Sequence, residues 1–283
     1  MKKVIIRKAE DIENWRSNID SEINFIPTMG NLHAGHLSLI KKARSIAGIN
    51  GVVIVTIFIN KIQFGKKEDL KKYPRTIKSD LNHCRQLKVD IVFTPRDQSM
   101  YNVNHSTFVT EEMLSKRMEG NSRPNHFCGV TTVVAKLFNI IQPNTAVFGA
   151  KDWQQATIIK QMVKDLNFPV KIVVAPIIRE EDGLAMSSRN SYLTSSERDE
   201  ATILIETIHL AKCIVRDRKT AIPRHSIVKK LKKHITTRRL AKLDYIEFFN
   251  PKTLAPVKQV ERGTHMALAV YFGKTRLIDN SRL

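Results

Sequence analysis

The run Val52-Val53-Ile54-Val55-Thr56-Ile57-Phe58-Ile59 constrains this chain more than any other stretch. It is rich in β-branched residues and shows no polar alternation, the pattern of a strand buried on both faces. Such a strand needs helices above and below it, which favours a parallel sheet over an antiparallel one wetted on one side. The surroundings agree. Residues 3–7, 23–27, 89–93, 146–148 and 170–174 read as further strands, and 9–19, 35–47, 76–87, 128–141 and 152–165 as helices. In the fourth helix Val130, Val133, Val134, Leu137, Phe138 and Ile141 fall on one stripe. Repeated β–α alternation predicts an α/β fold, a Rossmann-like doubly wound parallel sheet, over residues 1–180.

Past residue 180 the texture changes. Thr194-Ser195-Ser196-Glu197 has capping-box spacing and opens a helix in which Leu204, Ile208, Ala211 and Val215 share a face. A basic helix over 223–235 follows, then strand-like runs at 243–249, 266–272 and 276–278. Residues 181–283 are expected to form a smaller C-terminal α+β domain.

Composition excludes several classes. With 42% hydrophobic and 26% charged residues in 283, disorder is not expected. No apolar run approaches the ~18–20 residues of a membrane span. The opening Met1–Arg7 is basic, but its apolar segment is three residues long, too short for a secretory leader. Cys84, Cys128 and Cys213 are odd in number and widely spaced, which points to reduced thiols and a cytoplasmic protein. The net charge of +20 admits nucleic-acid binding. The basic residues are spread along the chain without interleaved aromatics, however, so nucleic acid is not expected as a primary partner and anionic ligands are.

Five stretches carry chemistry. After the second strand comes Pro27-Thr28-Met29-Gly30-Asn31-Leu32-His33-Ala34-Gly35-His36-Leu37, a small-residue turn into a helix. Unpaired N–H groups and the macrodipole make a helix start an anion site. His33 and His36, three apart, can face one phosphate. After the buried strand, Asn60 and Gln63 offer amides that suit a small polar acid. Gly149-Ala150-Lys151-Asp152 again runs from strand to helix: Lys151 offers a charge for phosphate, Asp152 either accepts from ribose or caps the helix, and Gln155 lies one turn past Lys151. Met186-Ser187-Ser188-Arg189 sits in a loop able to close over polyphosphate. Arg123 and His126 lead into the long helix, adding positive potential or serving a structural turn.

Together these stretches resemble a known family. His33-Ala34-Gly35-His36 is similar to the H-x-G-H signature of the nucleotidyl-transferase and class I aminoacyl-tRNA synthetase superfamily, and Met186–Arg189 stands where that superfamily has its K-M-S-K-S loop. More narrowly, the runs PTMGNLHAGH, FINKIQF, YPRT, RPNHFCGVTTVVAKLFNIIQP, FGAKDWQQ, DGLAMSSRN and TRLIDN resemble the pantoate–β-alanine ligase (pantothenate synthetase) family, in its order and over nearly the whole chain.

The resemblance implies a ligase of two steps. ATP and (R)-pantoate give pantoyl-adenylate and pyrophosphate with Mg²⁺, then β-alanine displaces AMP to give pantothenate. It assigns Met29, Gly30, Asn31, Leu32, His33, Ala34, Gly35 and His36 to ATP, with His36 as the residue usually labelled proton donor. Gly149, Ala150, Lys151, Asp152, Ile178, Met186, Ser187, Ser188 and Arg189 complete the ATP site. Catalysis is expected from His36, His33, Lys151, Ser187, Ser188 and Arg189. Gln63, Gln155 and Asn60 are expected to hold pantoate and β-alanine. The first domain then binds nucleotide and pantoate, the second acts as a lid, and the assembly is a homodimer. Two departures stand out. Lys61 replaces the proline common in N-P-x-Q-F. After YPRT, an acidic pair proposed near Mg²⁺ in some relatives reads Ser79-Asp80, which leaves Asp80 as the metal candidate. Another H-x-G-H adenylyl- or cytidylyltransferase and a basic tRNA-binding module are the competing readings.

Overall fold

The computed structural model describes residues 4–65, 68–218 and 220–283. It divides into two compact units, residues 1–176 and 177–283.

The first unit runs β1 (Val4–Ile6), α1 (Ala9–Arg16), β2 (Ile23–Thr28), α2 (Ala34–Ala47), β3 (Val52–Ile57), α3 (Ile77–Gln86), β4 (Ile91–Phe93), α4 (Asp97–Met100), α5 (Glu119–Ser122), α6 (His126–Ile141), β5 (Thr145–Gly149), α7 (Trp153–Asp165) and β6 (Lys171–Ala175). The strand expected at 3–7 is thus β1, with Lys3 outside the described residues. Among the described residues six strands pair in the order β1-β4-β3-β2-β5-β6, every pair parallel.

The unbroken apolar character of β3 has its reason in the two cores it separates. Val52 and Ile54 point with Ile23 and Phe25 into a core closed by α1, α6 and α7, where Ile12, Val130, Phe138 and Ile159 are buried. Val53 and Val55 point the other way, with Ile26, onto Leu39, Ile40 and Ala43 of α2. A polar residue on either face would lie in a core, so period-two alternation cannot survive.

The strand order places the chemistry. From β2 the chain passes to β3 and β4 on one side, then crosses back to β5 on the other. That reversal makes the carboxyl ends of β2 and β5 the switch point of the sheet, where loops diverge and leave a crevice. The loops after β3, β2 and β5 are adjacent because their strands are.

The second unit continues with α8 (Ser195–Glu200), α9 (Ile203–Arg216), β7 (Ile222–Pro223), α10 (Arg224–Ile235), β8 (Ala241–Phe249), β9 (Gln259–Val260), β10 (His265–Phe272) and β11 (Thr275–Arg282). β10 pairs antiparallel with both β8 and β11. The helix expected from Thr194 starts with its capping box as read, but breaks at Ala201-Thr202 into α8 and α9. The strand expected at 276–278 extends to Thr275–Arg282. Its polar residues hid it: Asp279 and Asn280 are buried, and Asp279 is paired with Arg179 at 2.7 Å.

Candidate active site

The turn after β2 is built around a buried carboxylate. Gly30 and Asn31 take consecutive left-handed conformations, φ +84° and +52°. Glycine and asparagine tolerate this where β-branched residues do not. Asp80 of α3, 1% exposed, reaches across and accepts from Asn31 N–H at 3.0 Å, Leu32 N–H at 2.8 Å and the Thr76 hydroxyl at 3.1 Å. A Cβ on residue 30 would lie 3.1 Å from Asp80 Oδ2. Both oxygens of Asp80, the metal candidate of the sequence, are engaged in tying down the turn. Among the described residues no three His, Cys, Asp or Glu side chains converge as a cation site.

Beyond the turn, α2 opens with a reciprocal cap made of histidines. His33 Nδ1 accepts from Gly35 N–H at 3.2 Å, and His36 Nδ1 accepts from His33 N–H at 3.4 Å. In a Ser-x-x-Glu capping box carboxylate and hydroxyl oxygens do this work; here ring nitrogens do. A neutral imidazole that accepts at Nδ1 carries its proton on Nε2, so the cap makes both rings Nε2–H donors. The ring centroids lie 4.1 Å apart. Burial first, then His33 and the Lys151 ammonium, hold the His36 pKa down at about 3. His36 is a neutral donor at neutral pH.

Lys151 belongs to the turn 150–152 after β5, the strand that pairs with β2, and it adds to the lowering of the His36 pKa. Its ammonium lies 4.0 Å from Asp152. Asp152 is exposed and precedes α7 without a side-chain cap, so the capping alternative for it does not hold. Gln155 is half-buried on the first turn of α7. Its neighbour Gln154, which the motif reading passed over, is buried: it accepts from Glu119 N–H at 3.0 Å and donates to the Leu114 and Arg117 carbonyls, both at 2.8 Å.

The loop after β3 carries the two amides, and both are cross-braced. Asn60 Nδ2 donates to Gln63 Oε1 at 2.9 Å and to the Gly129 carbonyl at 3.0 Å, while Asn60 Oδ1 accepts from the Tyr101 hydroxyl at 2.8 Å. Both N–H groups of Asn60 are therefore engaged with protein and the side chain is buried, so Asn60 supports Gln63 from within the loop. Gln63 Nε2 donates to Met29 Sδ at 3.3 Å, so it borders the histidine turn. Gly129 permits this approach of α6, since a Cβ there would lie 2.5 Å from Gln63 Cα.

Arg123 and His126 brace Gln63 from behind. Glu68 holds Arg123 through two N–H groups, at 3.1 and 2.6 Å. Arg123 lies 3.1 Å from His126 Nε2, and His126 Nδ1 lies 2.9 Å from the Gln63 carbonyl. A guanidinium only donates and a carbonyl only accepts, which fixes the His126 proton on Nδ1. Burial first, then Arg123, lowers the His126 pKa to about 4. Lys61, the departure from proline, pairs with Asp97 at the surface.

Ile178 and Met186–Arg189 lie in the second unit. Met186 N–H donates to the Ile178 carbonyl at 3.0 Å, side by side in a hairpin bridged at Arg179 and Ala185. Ser187 accepts from Arg189 N–H at 3.2 Å. Arg179 binds Asp279 at 2.7 and 3.0 Å, and Arg198 binds both Glu180 and Asp182 at 2.6 Å. The hairpin is fastened to its own unit.

Comparison with known proteins bears on what these residues do. The family model described as Pantoate-beta-alanine ligase matches residues 4–282. A pantothenate synthetase of Caldicellulosiruptor saccharolyticus is 46% identical over 280 residues, 98% of each chain. The crystal structure of the Thermus thermophilus protein named pantoate-beta-alanine (pantothenate synthetase) superposes with a TM-score of 0.91 at 36% identity, over 98% of each chain. A Francisella tularensis pantoate-beta-alanine ligase, complexed with beta-gamma ATP and beta-alanine, gives a TM-score of 0.80 at 35% identity, over 99% of this chain and 97% of that one.

Proposed function

This chain belongs to the pantoate-beta-alanine ligase family, and on that premise we propose how its residues perform the reaction. The chain is a pantothenate synthetase: it condenses pantoate with β-alanine at the expense of ATP, releasing AMP and pyrophosphate. The observation that carries the site assignment is the histidine cap of α2, two Nε2–H donors beside Lys151 at the switch point of the sheet.

In this reading the ATP triphosphate lies over the first turn of α2. The pantoate carboxylate attacks the α-phosphorus, the bond to pyrophosphate breaks, and a pantoyl-adenylate forms. His33, His36 and Lys151 donate to the charge that develops on the phosphate oxygens. Gln63 and Gln155 hold pantoate so that its carboxylate stands in line, a gain through effective concentration of up to ~7–11 kcal/mol in favourable cases. The amine of β-alanine then attacks the acyl carbon, and AMP leaves with the electron pair of the broken bond. Met29–His36, Gly149–Asp152, Ile178 and Met186–Arg189 are the residues assigned to ATP. His36 acts here as a hydrogen-bond donor that keeps its proton, in place of the proton-donor role the resemblance carries. Mg²⁺ belongs to this reading as an ion held by nucleotide phosphates rather than by protein carboxylates.

We further assign the chain to the cytoplasm and to a homodimer. Among the described helices none is long and apolar enough to cross a membrane. The segment 103–113 exposes three separate apolar side chains, Val103 at 95%, Met113 at 74% and Phe108 about half, which suit burial against a second copy. Sedimentation of the wild type against Phe108→Asp tests the dimer.

The activity is tested by AMP release with ATP, pantoate and β-alanine, each omitted in turn. AMP is expected only when all three are present; AMP release without β-alanine, or a nucleotide conjugate as final product, would favour another H-x-G-H transferase. RNA binding that persists at physiological salt would favour the tRNA-binding reading.

A further inference from the structure

We propose that Tyr101, which lies outside every motif above, is a positioning residue for the acid subsite: through Asn60 it holds the Gln63 amide with its Nε2–H group turned toward the substrate. This rests on the reading that Gln63 receives pantoate.

One group beside Asn60 has no choice of role. The Gly129 carbonyl only accepts, so the Asn60 atom 3.0 Å from it is Nδ2. The second N–H of Nδ2 is directed at Gln63, 2.9 Å away, and needs an acceptor there. That atom is therefore Oε1, which puts Nε2 on the side of Met29 and the histidine turn. Asn60 Oδ1 remains, buried on a side chain 1% exposed, and Tyr101 supplies its donor at 2.8 Å. Without that hydroxyl, Asn60 Oδ1 becomes a buried acceptor with no donor, and the Asn60 amide is held by two bonds instead of three, so it fixes Gln63 less firmly.

Tyr101 is itself well held. It directly follows α4, whose Met100 is buried, and its ring packs 6.3 Å from Phe58 and 4.9 Å from His105. The Lys136 ammonium stands 5.9 Å from the ring centroid. Burial pushes the phenol above its usual range, so it stays a donor across any working pH. The consequence for recognition is chemical. Gln63 meets the substrate as a donor, suited to a carboxylate or hydroxyl oxygen and unsuited to an ammonium group.

The test uses the full-length enzyme and compares KM for pantoate with KM for ATP in Tyr101→Phe, Asn60→Asp and Gln63→Ala, with melting curves for each. Tyr101→Phe keeps the ring packing and removes one hydrogen bond. It is expected to raise KM for pantoate about 3- to 10-fold, with KM for ATP unchanged and the melting temperature lowered by only a few degrees. Asn60→Asp removes both relayed N–H groups and is expected to lose at least as much, which keeps the proposal testable if the tyrosine variant does not fold. Unchanged pantoate KM in Tyr101→Phe, with Gln63→Ala impaired, overturns the role of Tyr101 and leaves Gln63 standing. Equal losses for pantoate and ATP overturn it as well, by showing a general structural role. Wild-type pantoate binding by Gln63→Ala removes Gln63 from the acid site, and this inference with it.

Discussion

Two histidines, the half-buried His36 in the cap of α2 and the buried His126 at the start of α6, are both held neutral, with pKa values near 3 and 4. Their nitrogens are used in opposite ways. His126 has both engaged by protein, one accepting from Arg123 and one donating to the Gln63 carbonyl. His36 uses only Nδ1 for its cap, which leaves its proton on Nε2. The difference teaches that a depressed pKa does not by itself mark a catalyst. What separates a chemical group from a brace is where the remaining N–H goes.

The comparison breaks most visibly at His36. His36→Ala is expected to slow adenylate formation about 10²–10³-fold, measured as pyrophosphate release in a single turnover, with the fold intact. A near-wild-type rate would make His36 a brace like its counterpart. Next in size is the support beneath the turn. Asp80→Asn puts an NH₂ group or a single neutral oxygen against two backbone N–H donors, and is expected to cost about 2–3 kcal/mol of stability by chemical denaturation.

Acid should act on both histidines alike. The unfolded chain takes up a proton near pH 6.5 at each, and the folded chain does so only near 3 or 4, so their contribution is full above pH 6.5 and is lost as pH falls. At pH 5 the loss is about 2 kcal/mol for each histidine relative to pH 7. His126→Gln and His36→Gln should each flatten the fall in stability between pH 7 and 5.

Smaller effects sharpen the brace. His126→Asn keeps an N–H near the position of Nδ1, whereas His126→Leu removes it. The leucine variant is expected to raise KM for pantoate about 10-fold over the asparagine variant, with ATP unaffected. Lys61→Pro, which restores the residue common in the family, should change stability by under about 1 kcal/mol, since the pair with Asp97 is exposed.

Much of this was legible in the chain. The buried run at Val52–Ile57 announced a parallel sheet, and the glycine turn with two histidines announced the start of α2, where the structure has it. What escaped has a common cause. Asp80 acts on Asn31 and Leu32 from nearly fifty residues away, and Tyr101 acts on Asn60 from forty-one. A carboxylate that tethers a backbone leaves no local pattern, so Asp80 read as a metal candidate. Helical spacing singled out Gln155, while the buried Gln154 beside it, which pins 114–119, carried no signal until its partners were in view. Asn60 and Gln63 stood out in the sequence and are bonded to each other, but only the Gly129 carbonyl tells which end of each amide faces which way.

The account turns on His36 as a neutral donor at Nε2, and ring-nitrogen NMR of the full-length protein, with and without ATP, reads that most directly. The expected result is a proton on Nε2 at neutral pH and no titration step near 6.5 down to pH 5. An imidazolium at pH 7, or a proton on Nδ1, would contradict it.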